Sequence, residues 1–515
     1  MLPLPAPGRP AAVRRGRRSV LPVVGGALFL GAAASAAPAA LPAQNITATP
    51  AAPSALSLED AVSLARNNAP GYLVNVNARR RADAQVRSAS GGLLPTLSTS
   101  LGSSYREGRQ QYYAGQALGA TASQVSGSYS LDLTASYSIS SLTAPRLQRA
   151  SREAVDADIG GSTQQLRTSV TQQYLTALQQ QARAELADTL VATARTQLEL
   201  AKARVAVGAA TVLDVRRAEV TLGQQQVAGI QARNQAEVER VRLLQQIGVE
   251  PSRPVTLTSR FVVADPGFDL ESLLRQARAG NPALNALRSR ERVAGLAVRQ
   301  AHGAYYPSLN LSANVSGYSS QFTNTDALVA SSLNSQVAQC EQSAAVRAIA
   351  TGQPVDASNC AAITLTPAQI ATARAGNGNF FNFTRQPYTV SAYLSFPIFN
   401  GFQREVGVQQ ARADQYDADA RVRAQELQLT ADVTAAFRTL ESQRQVVAQQ
   451  ERTVATAKEA LYLAQERYRV GAGAFLDVSQ AQDAYNQAQT DYVNAVYQYH
   501  SQFAVLEAAV GRPLR

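Results

Sequence analysis

Residues 129–139 read Tyr-Ser-Leu-Asp-Leu-Thr-Ala-Ser-Tyr-Ser-Ile. Every odd position is apolar or aromatic and every even one small or polar, so the stretch is a β-strand with one greasy face. At about ten residues it has the length of a tilted strand that crosses a bilayer. A similar strand precedes it, with Leu97, Thr99, Leu101 and Tyr105 alternating against Ser98, Ser100, Gly102 and Ser104. Two more follow far downstream, one on Leu309, Leu311, Ala313 and Val315, the other on Tyr388, Val390, Ala392, Leu394, Phe396 and Ile398. Tyr105, Tyr129, Tyr318 and Tyr388 stand at strand ends beside long polar segments, where an interfacial aromatic girdle would lie. Four strands cannot close a barrel, and an open edge in hydrocarbon leaves backbone groups unpaired at several kcal/mol each. The chain must therefore oligomerise if these strands span a membrane, and three copies would give twelve strands.

The chain states its pattern twice. Leu58-Glu59 through Ala65-Arg66 to Pro70 returns as Leu270-Glu271 through Ala277-Arg278 to Pro282. Val207-Gly208 and Leu213-Asp214-Val215 return as Val470-Gly471 and Leu476-Asp477-Val478. The second offset exceeds the first, so the second copy carries an insertion in what is otherwise a tandem duplication. The resulting division is a signal peptide over 1–36 (cleavage as late as 43), a flexible lead-in over 37–55, and a first repeat over 56–250. A linker over 251–267 leads to a second repeat over 268–511, with an extracellular insertion at 319–386, and a tail over 512–515.

Each repeat reads as helix, two strands and two very long helices. Val170, Ala177, Ala184, Val191, Leu198 and Val205 recur every seven residues, as do their partners Val433, Leu440, Val447, Val454, Leu461 and Tyr468. A sustained heptad with Ala in the seam gives close-packed, left-handed supercoiled helices. The run from about Leu147 to Ala206 has no proline, and at about 60 residues would be on the order of 90 Å long. Gly208 and Gly471 break the long helices, and a second helix follows each break, so each pair is an antiparallel hairpin. Shorter helices, Leu58 to Ser90 and Leu270 to Ala304, precede the strands. Pro95 and Pro307 mark the passage from helix to strand, and Pro145 and Pro397 the return.

The N-terminus is an export signal: a basic Arg14-Arg15-Gly16-Arg17-Arg18, an apolar stretch from Val20 to Ala34, and an Ala34-Ser35-Ala36 cleavage site. Its loss removes Arg9, Arg14, Arg15, Arg17 and Arg18, and the net charge of +11 falls to about +6, no footprint for nucleic acid. The two cysteines, Cys340 and Cys360, both lie in the insertion. In an exported chain they suggest a disulfide worth about 3 kcal/mol by loop entropy. No cysteine near the cleavage site is placed for lipid attachment.

Nothing reads as an enzyme or a cofactor site. His302 and His500 are isolated, the cysteines are not spaced with histidines for zinc, and Gly471-Ala472-Gly473-Ala474 lacks the lysine of a phosphate loop. Asp214 and Asp477 follow the Gly turns, where Asp commonly N-caps a helix. Two classes fit: a membrane duct, or a periplasmic coiled-coil adaptor or spacer without a pore. The girdled strands favour the duct, since a spacer has no need of a lipid-facing sheet.

Together, the signal, the duplicated halves, Pro397-Ile398-Phe399-Asn400-Gly401-Phe402 at a strand-to-helix junction, and Tyr468-Arg469-Val470-Gly471 before Leu476-Asp477-Val478 resemble the TolC family of outer-membrane efflux proteins. The resemblance covers about Leu56 to Gly511. It implies an α+β membrane protein, a homotrimer whose twelve-stranded outer-membrane β-barrel continues as a periplasmic α-helical barrel of coiled coils. Such a duct serves tripartite efflux or type I secretion, meeting a periplasmic adaptor and an inner-membrane transporter of RND, ABC or MFS type, with outer-membrane lipid around the barrel. The adaptor would contact the tip turns at Gly208, Gly471 and Gly473. By the same resemblance Asp477 lines a constriction, and Gln480 stands where a second acid is expected, so one carboxylate ring survives and another is neutral. A closing contact from the Tyr468 hydroxyl to the Asp214 carboxylate is implied. The basic partner expected two residues after Gly471 is replaced by Gly473, so the closed state should be less tightly latched.

Overall fold

The structure is a computed structural model and describes residues 54–108, 110–113, 116–120, 123–251, 255–263 and 267–514. The expected signal peptide, most of the lead-in, parts of the linker and the last tail residue lie outside these. In the first half, β1 (Ala55–Leu56), α1 (Leu58–Asn68) and α2 (Pro70–Gly91) precede β2 (Thr96–Arg106). A small hairpin, β3 (Gln110–Tyr113) and β4 (Gln116–Ala120), leads to β5 (Gln124–Tyr137), then to α3 (Ile139–Ala206) and α4 (Val212–Ile247). After β6 (Thr256–Leu257), the second half repeats the order with α5 (Leu270–Gly280), α6 (Pro282–His302) and β7 (Ser308–Phe322). It then inserts α7 (Asp326–Thr351), α8 (Pro367–Ala375) and β8 (Thr384–Arg385) before β9 (Thr389–Ser395), α9 (Gln403–Arg469) and α10 (Phe475–Val510).

The four long strands form one antiparallel sheet in the order β2-β5-β7-β9, with β8 beside the far end of β7. Register puts Leu97 opposite Leu133, Thr99 opposite Leu131, Leu131 opposite Val315 and Ala313 opposite Val390, so all four strands turn their apolar residues to one face.

The long helices have 68 and 67 residues, about 100 Å each at 1.5 Å per residue. The heptad seam faces inward: Val170, Ala177, Ala184 and Leu198 are buried on α3, and Val433, Leu440, Val447 and Leu461 on α9. Alanine in the seam removes bulk between axes, so α4 lies along α3 and α10 along α9.

Four expectations are corrected. Pro145 does not mark the start of α3: the helix begins at Ile139, which therefore is not the last residue of the strand. Ser138 is its N-cap, accepting from Ser141 N–H at 3.0 Å while its own N–H donates to Ser141 Oγ at 2.8 Å. This reciprocal cap starts the helix early and leaves Pro145 to be carried in the second turn. The short helices are each broken before a proline, at Ala69 and at Asn281, both extended, because proline disfavours the helical conformation in the residue before it. The insertion is not merely a polar loop: β7 runs on to Phe322, and α7 and α8 fill much of the segment between β7 and β8, with Cys340 and Cys360 joined at a Cα–Cα distance of 5.6 Å. Asn377 ties the far end of the insertion to Phe322 through both backbone groups, at 2.8 and 2.9 Å. Finally, Tyr318 pairs with Ser128 and so sits on the opposite side of the sheet from Tyr105 and Tyr129.

Two clusters anchor the shorter elements. In the first half Leu56, Ala61, Ala65, Val170, Tyr174, Leu243 and Ile247 pack together, and in the second Leu273, Ala277, Leu284, Val433, Leu440, Tyr499 and Leu506. At the centre of the first, the fully buried Tyr174 donates to the Leu56 carbonyl at 2.8 Å and accepts from Ser259 N–H at 3.1 Å, tying α3 to β1 and to the segment after β6. Tyr174→Phe would strand that N–H. It should lower unfolding stability by about 1–3 kcal/mol, read from the midpoint in detergent.

Candidate functional site

Two regions carry the chemistry, the sheet and the far end of the helical hairpins. On the sheet, Leu97, Leu101, Leu131, Leu133, Leu311, Val390 and Leu394 are exposed together on one face. The opposite face is a ladder of hydroxyls and amides: Ser100 to Ser130 at 2.9 Å, Ser104 to Ser126 at 2.8 Å, Ser312 to Ser391 at 2.6 Å, and Asn314 donating to Asp132 at 2.5 Å. One face thus satisfies its own polar groups, and the other is mainly apolar, with Thr99 and Ser103 its small hydroxyl positions, as suits lipid contact.

Tyr105 and Tyr129 lie on the apolar face, and the Tyr129 ring covers Gly317 and meets Phe383 edge-on at 5.4 Å. Tyr388, just before β9, is exposed. Tyr318, opposite Ser128, is on the polar face by strand parity and out of any lipid-facing girdle. At the other end of the sheet stands an aromatic group that sequence reading did not assign: Tyr305, Tyr306, Phe396, Phe399 and Phe402 are exposed, with Ile398 90% exposed among them. Gly401 and Phe402 turn this segment with φ of 66° and 63°, and Arg404 donates to the Pro397 and Ile398 carbonyls. The run of Phe and Ile in Pro397–Phe402 was the available signal.

At the far helical end, both hairpins close the same way. Gly208 has φ of 73°, with Gly208 N–H donating to Val205 and Ala209 N–H to Arg204. Gly471 has φ of 78°, with Gly471 N–H donating to Tyr468 and Ala472 N–H to Arg467. This is the glycine-terminated helix end in which a left-handed residue satisfies orphan carbonyls.

Asp214 and Asp477 both occupy the third position of their helices rather than the N-cap. Thr211 caps α4, its N–H and hydroxyl donating to Asp214 Oδ2 at 3.0 and 2.8 Å, and Ala474 N–H donates to Asp477 Oδ2 at 3.1 Å. Asp477 and Gln480 are exposed one turn apart on α10.

The expected contact from Tyr468 to Asp214 is not made. Asp214 is occupied by Thr211, and the Tyr468 hydroxyl is buried without a hydrogen-bond partner. Its ring instead meets Phe475 edge-on at 5.8 Å. Gly473 lies against the last turn of α9, where an added Cβ would come within 3.3 Å of Arg467 Cβ and Tyr468 N. On the adjacent surface Arg469 donates twice to Glu466, at 2.9 and 2.8 Å, and this bond raises the guanidinium pKa further. Arg204 and Phe475, which no sequence signal singled out, are the residues that surround Tyr468.

Among the described residues no helix is long and apolar enough to cross a membrane, and no group of three or more His, Cys, Asp or Glu is placed to hold a metal. His500 is buried between Phe261 and Tyr499, with ring centroids at 5.3 and 5.2 Å.

A family model described as outer membrane efflux protein matches residues 61–249 and 362–512. No curated protein sequence matches the chain significantly. Solved structures share its fold. The outer membrane protein VceC from Vibrio cholerae is 17% identical, over 89% of this chain and 97% of VceC, with a TM-score of 0.63. The CmeC outer membrane channel of Campylobacter jejuni is 15% identical over 88% and 85% of the two chains, with a TM-score of 0.64. The open-state MtrE outer membrane channel of Neisseria gonorrhoeae is 18% identical, over 89% of each chain, with a TM-score of 0.63.

Gly208 and Gly471 have open space around their Cα atoms, so only backbone strain opposes a side chain there. Gly208→Ala and Gly471→Ala should each cost about 1–2 kcal/mol. The loss should appear as faster hydrogen exchange confined to the last turn of α3 or α9.

Proposed function

The chain belongs to the outer membrane efflux protein family, and on that footing we propose that it is the exit duct of a tripartite efflux or type I secretion system. In this reading it is a homotrimer whose sheets close into a twelve-stranded barrel and whose hairpins form a tube through the periplasm. An adaptor engages the tip turns at Gly208, Gly471 and Gly473, where Val207, Val212, Leu213, Val470 and Leu476 are exposed. An inner-membrane transporter supplies the energy, and the duct itself is passive.

The observation that carries this reading is the sheet of four long strands with one mainly apolar face and, among the described residues, two unpaired edges, β2 and β9. In hydrocarbon those edges require partners, and the β9 edge of one copy is complementary to the β2 edge of the next. The helices point the same way. α6 lies between α3 and α9, whereas its repeat counterpart α2 packs along only one long helix, α3, and buries only Ala82. The exposed Val406, Tyr416 and Leu427 on α9 offer the missing flank in a neighbouring copy. A spacer without a pore would have no use for either feature.

Asp477 and Gln480 are proposed as pore-lining positions at the tip, because both are exposed on one side of α10 immediately after the turn. Three Asp477 carboxylates on a narrow axis would concentrate cations, and Gln480 would add none.

The purified mature protein should run as a heat-resistant trimer in detergent and conduct ions across planar bilayers; absence of both would end the duct reading. Asp477→Asn should weaken block by divalent cations on the order of tenfold, and Gln480→Asp should strengthen it. Unchanged block in both would remove these residues from the pore.

A further inference from the structure

At their tips the two hairpins of one chain meet through a small apolar cluster around Phe475 and through one charged side chain. Arg204, on the last turn of α3, reaches across to the last turn of α9. Its Nη1 donates to the Tyr468 carbonyl at 3.0 Å and its Nη2 to the Arg469 carbonyl at 2.9 Å, while the guanidinium lies 4.2 Å above the centre of the Tyr468 ring. Every part of this contact suits arginine. Both carbonyls belong to the last turn of α9, where the macrodipole favours a cation, and the Tyr468 carbonyl already accepts from Gly471 N–H. The planar fork spans two acceptors at once, and its face stacks on an aromatic ring.

The apolar contact between the hairpins at this level is one small cluster, Leu198, Ala201 and Ala218 with Phe475. A cavity of about 330 Å³ lies between α3, α9 and α10, lined by Leu200, Ala201, Arg204, Gln465, Tyr468 and Phe475. Apolar packing is therefore incomplete just above the tip. Asp214 is held by its own helix cap, the Tyr468 hydroxyl has no partner, and Gly473 brings no side chain. Among the described residues, the next polar link between α3 and α10 is Gln197 donating to Gln482 at 2.8 Å, about two turns away along α3.

We propose that Arg204 is the latch that holds the second-half hairpin closed against the first, through the C-terminal carbonyls and ring of α9 rather than through a carboxylate. This rests on the reading of the chain as a duct gated at its helical end. The position has a direct consequence for gating. α10, which carries Asp477 and Gln480, is joined to α9 by the turn immediately beyond the latched carbonyls, so releasing Arg204 frees the segment that bears the constriction.

The test compares the full-length wild type with Arg204→Ala, Arg204→Gln and Arg204→Lys, by planar-bilayer conductance and by hydrogen exchange over residues 465–478. With two charge-assisted bonds lost, Arg204→Ala and Arg204→Gln should raise open-channel occupancy and exchange at the α9 end by about tenfold or more, with the trimer intact. Arg204→Lys keeps the charge but not the fork or the stacked plane, and should fall between them and wild type. Lys202→Ala removes a cation from the same turn, one paired with Glu199 on α3 itself, and should change neither readout. Tyr468→Phe removes only the unpartnered hydroxyl and should open the channel far less than Arg204→Ala.

The latch is overturned if Arg204→Ala and Arg204→Gln match wild type in exchange, or if Tyr468→Phe opens the channel as far as they do. If exchange responds as expected while intact wild-type and variant trimers never conduct, the join stands and the duct reading fails instead.

Discussion

A peptide group that has left water must find its hydrogen-bond partner within the protein, and the rest of this structure depends on that constraint. The sheet meets it internally along three strand pairings but leaves the outer edges of β2 and β9 open. Such a sheet, with leucines and valines exposed on one face and paired hydroxyls on the other, is stable neither as a monomer in water nor as an open ribbon in lipid. Closure through further copies answers both problems at once. The helices show the same asymmetry: α6 is flanked by both α3 and α9, and α2 by α3 alone.

Beyond the sheet the governing interaction changes from edge pairing to seam packing. Val170, Ala177, Ala184 and Leu198, with Val433, Leu440, Val447 and Leu461, keep the long helices close to their partners over most of their length. Near the tip the packing thins to Leu198, Ala201, Ala218 and Phe475 and is interrupted by a cavity. The joint there passes from hydrophobic contact to directional bonds from Arg204. A packed seam resists displacement everywhere along it, whereas a few directional bonds can break together. In the proposed duct, that distribution would let one end open while the rest stays intact.

Much of this was legible in the sequence because period-two and period-seven patterns survive without knowledge of neighbours. The strand on 129–137 and the heptads from Val170 and Val433 are of this kind. The failures have local causes. Ile139 prolongs the alternation by chance, and only the reciprocal cap between Ser138 and Ser141 shows that a helix has already begun. Tyr318 was grouped by its place at a strand end, although parity with Ser128 decides its face. The insertion reads as loop because α7 is rich in Ala and Ser and has a weak apolar stripe. At the tip, motif matching supplied Tyr468 and Asp214 but not their partners. Thr211 takes Asp214 locally, and Arg204 lies 264 residues before Tyr468, where no periodicity could connect them.

The two halves enter their long helices differently. In the first, Ser138 alone separates strand from helix, whereas in the second the chain spends Phe396 to Phe402 on an exposed aromatic turn before α9 starts. Yet α3 and α9 differ by a single residue in length, so the detour leaves the tips level. In a trimer these turns would be three feet set into the inner rim of the bilayer. Two feet would leave the column free to rock about the line between them. Three define a plane, and a column standing on a tripod of this kind keeps its axis along the membrane normal while its far end is pulled from below.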